Sequence, residues 1–141
     1  MTTLACNRHE MACDSRTSYG DGEFTVCDDK IERIGDSLIG CAGNVESIFK
    51  FLSWFKNQER ERPEFSESDS FSAIVLNKRG MYWFCNTTYP SKVCEPFFAL
   101  GSGSMAAKAA MLCGKTPTEA VGIAIKCDKN SGGPVRTFTL E

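Results

Sequence analysis

Apolar residues recur along this chain at two spacings, which separate strand-like stretches from helix-like ones. Short runs of strand character fill most of the first third of the sequence, and turn residues such as glycine and aspartate lie between them. Neighbouring runs of this kind are expected to pair as antiparallel strands. The predicted strands of this part are residues 2–6, 11–15, 25–27, 30–34 and 37–42.

Helical spacing replaces strand spacing after Asn44, a residue type that often caps the N-terminus of a helix. Apolar positions then recur at intervals of three or four residues, at Val45, Ile48, Phe49, Leu52 and Phe55. This helix is expected to pack on a sheet. Residues 58–70 are charged, rich in serine and broken by Pro63, so they are predicted to be an exposed connector.

The second half of the chain repeats the order of strands followed by helices. Strand character returns in residues 71–76, 81–85 and 97–100, and the chain closes with a strand at 134–140. Residues 105–113 are alanine-rich and predict a helix. A second helix is predicted to begin at Thr116-Pro117-Thr118-Glu119, where the threonine caps, the proline takes the first helical position and the glutamate completes a capping box.

The run AAMLCGKT, residues 109–116, also fits the loose form of a phosphate-binding loop. A phosphate-binding loop follows a strand, whereas the residues before Gly114 have helical character. Gly114 is therefore predicted to end a helix, and no nucleotide site is expected here.

The order of these elements predicts the fold class. Two blocks of strands, each followed by helical segments, indicate an α+β sandwich in which helices cover the outer faces of two sheets. The chain has 141 residues, which is the length of one domain, and a chain of this length buries roughly two thirds of its unfolded surface. We expect a single domain, residues 1–141.

Charge and hydropathy exclude several classes of partner. The formal net charge is −2, so the chain lacks the basic character of a nucleic-acid-binding protein. No apolar run approaches the roughly 20 residues that a membrane helix needs. Arg8, His9 and Glu10 stand where a signal peptide would carry its apolar segment. We therefore expect a cytoplasmic protein that binds neither nucleic acid nor membrane.

The cysteines and the single histidine bear on metal binding. The chain has eight cysteines but no Cys-x-x-Cys pair, and most of the cysteines stand singly. Predicted strands carry Cys6, Cys13, Cys27, Cys41 and Cys85, and predicted helices carry Cys113 and Cys127. Buried, reduced thiols are the expected state, with no metal site and no other cofactor. His9 lies in a polar turn and is not a candidate catalytic base.

The start of the chain carries a candidate catalyst. Thr2 follows Met1 directly, and a small second residue favours removal of the initiator methionine. The mature chain would then begin with a hydroxyl and a free α-amine on one residue. A threonine hydroxyl is a poor nucleophile until a base takes its proton, and an α-amine with a pKa of about 7.7 to 8.0 is a suitable base at neutral pH.

Short motifs along nearly the whole chain resemble the proteasome β-subunit family of N-terminal-nucleophile hydrolases, which includes the peptidase subunit of the bacterial HslUV protease. Each motif is short, but six occur in the order of the family. They are Thr2-Thr3, Ala12-Cys13-Asp14-Ser15-Arg16, Lys30-Ile31 before Ile34, Gly40-Cys41-Ala42-Gly43, Gly101-Ser102-Gly103-Ser104, and Asp128 followed by Ser131-Gly132-Gly133. The resemblance implies a four-layer αββα sandwich of two antiparallel sheets flanked by helices.

The resemblance also implies catalytic roles for individual residues. Thr2 is the nucleophile and supplies the base, while Lys30 keeps the amine neutral by like-charge repulsion and Asp14 orients Lys30. The backbone N–H of Gly40 is the expected oxyanion donor. The residues expected to orient the amine and its water are Ser102, Asp128 and Ser131.

Two further residues are expected to contact the substrate. These are Ser18 and Leu38, and Leu38 lies near the position at which the family sets its side-chain preference. An apolar residue at Leu38 favours apolar substrate side chains.

The leading interpretation is a threonine peptidase, an endopeptidase subunit of a ring-shaped, self-compartmentalised protease that degrades unfolded polypeptides. Its expected partners are further copies of the chain in a hexameric or heptameric ring, possibly doubled, and a separate ATP-dependent unfoldase. The helices in residues 45–55 and 105–126 are the expected contact surfaces of the ring. Two alternatives stay open: a catalytically silent ring subunit or scaffold, and an amide hydrolase of the same nucleophile class that acts on a small metabolite.

Overall fold

The computed structural model describes residues 2–18, 24–26 and 30–141, without the side chains of Ser18 and Phe24. The described residues form eleven strands, three α-helices and one short 3-10 helix. The strands are β1 (Thr3–Asn7), β2 (Glu10–Cys13), β3 (Arg16–Ser18), β4 (Phe24–Val26), β5 (Ile31–Ile34), β6 (Ser37–Ala42), β7 (Ser72–Asn77), β8 (Gly80–Cys85), β9 (Ser91–Lys92), β10 (Phe97–Gly101) and β11 (Arg136–Thr139). The helices are α1 (Val45–Asn57), α2 (Ser104–Leu112), α3 (Pro117–Cys127) and the 3-10 helix Glu67–Asp69.

The strands form two antiparallel sheets and one separate hairpin. Sheet 1 has the strand order β10-β1-β2-β11, sheet 2 has the order β5-β6-β7-β8-β9, and β3 pairs with β4. In sheet 1, Thr3 pairs with Gly101, which brings the start of the chain beside the end of β10. In sheet 2, Gly40 pairs with Ile31 on one side and with Ile74 on the other.

Three apolar clusters hold these sheets and helices together as four layers. The first cluster lies between the two sheets and includes Leu4, Met11 and Leu38. The second joins the alanine-rich faces of α2 and α3 to sheet 1, and the third joins α1 to sheet 2 around the fully buried Phe51. The layer order is therefore α1, sheet 2, sheet 1, and the pair α2 and α3, which confirms the predicted α+β sandwich.

The helix ends follow the local signals of the sequence. The side chain of Asn44 accepts hydrogen bonds from the first-turn N–H groups of α1, and Thr116 and Glu119 form the complete capping box of α3. Gly114 has a φ of +91° and follows the end of α2, where its N–H bonds to the carbonyl of Met111. The phosphate-loop-like run is thus the end of a helix. None of the helices in the described part of the chain is both long and apolar enough to cross a membrane.

Other expectations need correction. The short strands β3 and β9 were not predicted, because runs of two or three residues show no clear alternation. Burial was expected for the cysteines in general. Cys6, Cys13 and Cys41 are buried, but Cys85, Cys94, Cys113 and Cys127 are exposed, and Cys27 lies outside the described residues. Cys85, Cys113 and Cys127 stand at the ends of their strands or helices, where the core no longer covers them.

Candidate active site

A buried carboxylate at the end of β2 organises the start of the chain. Asp14 is fully buried, and its Oδ1 accepts hydrogen bonds from the Thr3 N–H at 3.0 Å and from Lys30 Nζ at 2.9 Å. Its Oδ2 accepts a bond from the Gly132 N–H at 3.1 Å. Lys30 Nζ also donates to the Arg16 carbonyl at 2.7 Å, and its side chain is only 10% exposed. Burial of both charges is tolerated because they are paired and hydrogen-bonded.

The peptide group between Thr2 and Thr3 is held at both of its polar atoms. The Thr2 carbonyl accepts a hydrogen bond from the Ser102 N–H at 2.8 Å, and the Thr3 N–H donates to Asp14. Gly101 has a φ of +93°, and a Cβ at this position would collide with the Thr2 carbonyl. Glycine is therefore required for β10 to approach the start of β1 so closely.

The loop after α3 carries a chain of hydroxyl and carboxylate groups toward Thr3. Asp128 Oδ2 accepts hydrogen bonds from Ser102 Oγ at 2.5 Å and from Ser131 Oγ at 2.6 Å. Ser131 Oγ in turn lies 2.6 Å from Thr3 Oγ1. Burial alone raises the pKa of the Asp128 carboxyl, but hydrogen bonds from Ser102, Ser131 and the Asn130 N–H outweigh it and lower that pKa below its usual value.

A pocket of about 300 Å³ opens beside Thr2. Thr2 and Lys30 both line it, and Cys41 and Gly43 contribute from the end of β6 and the residue after it. Its apolar lining comes from Ile31, Val45, Ile48 and Leu52, together with Ile39. The pocket can therefore hold an apolar side chain of a ligand next to Thr2 and Lys30.

The thiol in this pocket is not a second nucleophile. Burial and the negative charge of Glu32 raise the pKa of Cys41 to about 12, so the thiol stays protonated at neutral pH. Cys41 therefore contributes an apolar surface to the pocket.

Known structures resemble this chain in fold. No protein-family model matches the sequence, and no curated protein sequence matches it either. Solved structures do match it along nearly the whole chain. BPH of Thiobacillus denitrificans in complex with epoxomicin shares 22% sequence identity with a TM-score of 0.73, and covers 99% of this chain and 97% of its own. A second structure of Thiobacillus denitrificans BPH gives 21% identity, a TM-score of 0.72 and the same coverage.

HslV from Trypanosoma brucei matches with 19% identity and a TM-score of 0.73 over 97% of this chain and 98% of its own. The chain has the HslV fold. The four-layer sandwich implied by the sequence resemblance is confirmed by this match.

Within the HslV fold, most of the predicted catalytic residues come together around the start of β1. Asp14 and Lys30 form one direct ion pair, and Ser102, Asp128 and Ser131 form one hydrogen-bonded group. Thr2 lies between these two groups, because its carbonyl contacts Ser102 and the next N–H contacts Asp14.

Two predicted residues are not among those that line the pocket. Gly40 lies in the middle of β6 with paired strands on both sides, and a Cβ there would lie 2.9 Å from Leu4 Cδ2 and 3.0 Å from Met11 Sδ. Leu38 is fully buried in the cluster between the sheets. Successive residues of a strand face opposite sides, so Leu38 and Gly40 share the face toward sheet 1. The other face of β6 carries Cys41, which lines the pocket.

The residues that sequence reasoning missed are Cys41, Gly43 and Thr3. The parity of β6 places Cys41 on the pocket side, and Gly43 ends the strand just before the cap of α1. Both lie within the predicted Gly40-Cys41-Ala42-Gly43 motif. The signal that could have found them is the alternation of β6, which places Cys41 on the face opposite to Gly40. Ser18 ends β3, but its side chain lies outside the described part of the chain, and so does Met1.

Proposed function

We propose that this chain is a threonine endopeptidase subunit in which Thr2, exposed by removal of Met1, is the nucleophile. One observation carries the proposal: Thr2 lines an apolar pocket together with Lys30, and the Lys30 ammonium is bonded to the buried Asp14. This is the arrangement that a terminal hydroxyl and amine need in order to act at neutral pH.

The proposed reaction begins with transfer of the Thr2 hydroxyl proton to the α-amine of the same residue. The Oγ1 atom attacks the scissile carbonyl, and the protonated amine then gives its proton to the leaving nitrogen. This leaves an ester on Thr2, which water hydrolyses with the amine as base. The positive charge of Lys30 favours the neutral form of the amine before attack, and Asp14 keeps Lys30 in place.

We propose the backbone N–H of Gly43 as an oxyanion donor in addition to the predicted N–H of Gly40. Gly43 lines the pocket, is exposed and directly precedes the N-cap of α1, where the field of the helix N-terminus favours negative charge. Its φ is +120°, and a Cβ would collide with the Ser70 carbonyl, so only glycine fits this turn.

The nucleophile is tested with two substitutions at one position. Thr2→Ala removes the hydroxyl and should abolish hydrolysis of a fluorogenic peptide, whereas Thr2→Ser keeps a hydroxyl and an amine and should retain measurable turnover. Thr25→Ala, on the exposed surface of β4, is the matched control and should turn over like the wild type. Full activity of Thr2→Ala would contradict the assignment.

The role of Lys30 is tested by charge and shape. Lys30→Ala should lower turnover by at least about a hundredfold, the usual minimum contribution of acid–base catalysis. Lys30→Arg should not restore it, because a planar guanidinium cannot replace a compact ammonium that bonds to both Asp14 and Arg16. Lys108→Ala, which removes one half of an exposed ion pair, is the control. Near-normal turnover of either Lys30 variant would refute the role.

The pocket supports a preference for apolar substrate side chains next to the scissile bond. Five of its eleven lining residues are aliphatic, and its volume of about 300 Å³ suits a side chain of leucine or phenylalanine size. A panel of peptides that differ only at this residue should rank leucine above lysine and glutamate. A panel of small amides, tested beside it, should not be hydrolysed; the reverse result would favour the metabolite hydrolase.

Epoxomicin gives an independent probe of the same site. The matching BPH structure contains epoxomicin. On the proposed function, epoxomicin should bind this chain, inhibit peptide hydrolysis and fail to bind Thr2→Ala. Equal binding to the wild type and to Thr2→Ala would place the compound elsewhere.

We further propose that the chain assembles as a homo-oligomeric ring, possibly doubled, that encloses the sites and receives unfolded polypeptides from a separate ATP-dependent unfoldase. A closed chamber would restrict cleavage to chains that are threaded into it and spare other unfolded chains, and heterologous contacts between identical subunits can close such a ring. Exposed apolar side chains on two helices support this proposal. On α1 they are Val45 (67% exposed) and Phe49 (71%), and on α2 they are Met105 (80%) and Leu112 (68%).

Assembly is tested by light scattering at micromolar concentration. The wild type should have the mass of at least six subunits, and Phe49→Glu should shift it toward smaller species. Tyr89→Glu, at an exposed aromatic side chain outside α1 and α2 (67% exposed), is the control and should leave the mass unchanged. A monomer or dimer that hydrolyses peptides would refute the chamber, and a large inactive ring would favour the silent subunit.

A further inference from the structure

Thr3, the residue after the proposed nucleophile, has both its backbone and its side chain engaged in the site. It is fully buried, its N–H donates to Asp14 Oδ1, and its Oγ1 lies 2.6 Å from Ser131 Oγ. Thr3 therefore contacts both the Asp14 and Lys30 pair and the Asp128 group.

The direction of the bond between Thr3 and Ser131 follows from counting hydrogens. A hydroxyl has one hydrogen to donate, and an ionised carboxylate has none. Ser131 Oγ donates its hydrogen to Asp128 Oδ2 at 2.6 Å. Ser131 must therefore accept from Thr3, and the hydrogens run from Thr3 to Ser131 to Asp128. Ser102 donates to the same Asp128 oxygen from the other side.

The Thr3 hydroxyl occupies space that a side chain at position 103 would otherwise fill. A Cβ at position 103 would collide with Thr3 Oγ1 and would also lie 3.2 Å from Thr3 Cβ. Gly103 is itself buried just before α2. The absence of a side chain at position 103 thus accommodates the Thr3 hydroxyl.

These bonds form a closed ring around the first peptide group. Ser102 bonds to the Thr2 carbonyl through its N–H and to Asp128 through its hydroxyl, and Asp128 connects through Ser131 back to Thr3. Rotation of the Thr2–Thr3 peptide would break at least one of them.

We propose that Thr3 is a positioning residue for the reaction: its buried hydroxyl donates to Ser131, closes the ring and thereby fixes the Thr2 amine and hydroxyl in register with Lys30 and the pocket. This inference rests on the proposed peptidase function. Thr3 itself does not touch the reacting atoms; it acts through Ser131, Asp128 and the peptide it shares with Thr2.

The test compares two substitutions that differ in the hydroxyl. Thr3→Val keeps the branched shape but lacks the donor, and Thr3→Ser keeps the donor. Thr3→Val should lower kcat for a fluorogenic peptide by about tenfold to a hundredfold with little change in KM, because small misplacements of a reacting group cost up to about a hundredfold. Thr3→Ser should restore kcat to near the wild-type value. Thermal unfolding at the assay pH shows that each variant is folded.

Thr118→Val is the matched control, because the Thr118 hydroxyl bonds to Glu10 and Thr137 in a separate network. It should leave kcat unchanged. A folded Thr3→Val with the kcat of an active wild type would overturn the positioning role and leave the proposed function standing. A correctly processed wild type with no peptidase activity would instead overturn the proposed function, and the inference with it.

Discussion

Asp14→Asn is expected to cause a large loss of stability, although it changes the shape of the side chain very little. The change keeps the volume but removes the charge. Asp14 accepts three hydrogen bonds, from Lys30, Thr3 and Gly132, whereas an asparagine offers one acceptor oxygen and turns an N–H₂ group toward at least one of these donors. The Lys30 ammonium, only 10% exposed, then keeps the Arg16 carbonyl but loses its ion pair with Asp14.

Removing one partner of a buried ion pair costs about 3–5 kcal/mol, because the remaining charge stays buried without compensation. Total unfolding free energies of domains are about 5–15 kcal/mol, so this loss is a large fraction of the whole. Urea titration followed by tryptophan fluorescence measures it. The urea concentration at the midpoint should be much lower for Asp14→Asn than for the wild type, while the m-value stays the same.

Glu95→Gln provides the comparison for an exposed pair. Lys108 Nζ lies 3.9 Å from Glu95 Oε2, and the two side chains are 47% and 59% exposed. Exposed pairs contribute about 0–1 kcal/mol, so the midpoint should barely move. Equal shifts for Asp14→Asn and Glu95→Gln would refute the reasoning that the buried pair supports the start of β1.

Three further outcomes follow from particular positions. Gly40→Val should lower the unfolding free energy by about 1–3 kcal/mol through overpacking between the sheets, measured by thermal unfolding. The pKa of Asp128 is lowered in the folded state, so its charge stabilises the fold above the usual aspartate pKa, and this contribution is lost as pH falls through the lowered value. In Asp128→Asn, the free energy of unfolding should therefore depend less on pH in this acid range. With its pKa raised to about 12, Cys41 should remain unmodified by iodoacetamide at neutral pH in peptide mass mapping, while the exposed Cys113 is modified.

Local chemistry accounts for the parts of the fold that the sequence predicted well. The start of α3 depends on three neighbouring residues, Thr116, Pro117 and Glu119, and all three act within one turn. The cap of α1 at Asn44 and the end of α2 at Gly114 are equally local. Such features need no knowledge of the rest of the molecule.

The site residues depend on contacts between distant parts of the chain, and there the prediction was partial. The resemblance indicated Asp14 and Lys30, which are 16 positions apart and 2.9 Å from each other in the structure. It also indicated Leu38 as a substrate contact, because motif spacing does not show which face of β6 looks toward sheet 1; the Gly40 N–H as oxyanion donor stays a prediction. That face is decided by the packing of Leu4 and Met11 against β6.

Thr3 shows a second limit of sequence reasoning. Its hydroxyl matters because Ser131, 128 positions away, lies 2.6 Å from it. Threonine is common in β-strands, where its hydroxyl is ordinarily on the surface, so the sequence alone provides no reason to assign Thr3 a role in the site.

The proposed catalyst is the free amine and hydroxyl of Thr2. The most direct test measures intact mass and peptide turnover on one preparation of the protein made in cells. The expected mass is lower than that of the full sequence by one methionine, together with turnover of a fluorogenic peptide that is lost in Thr2→Ala. A preparation that retains Met1 on every chain and still cleaves the peptide would contradict it.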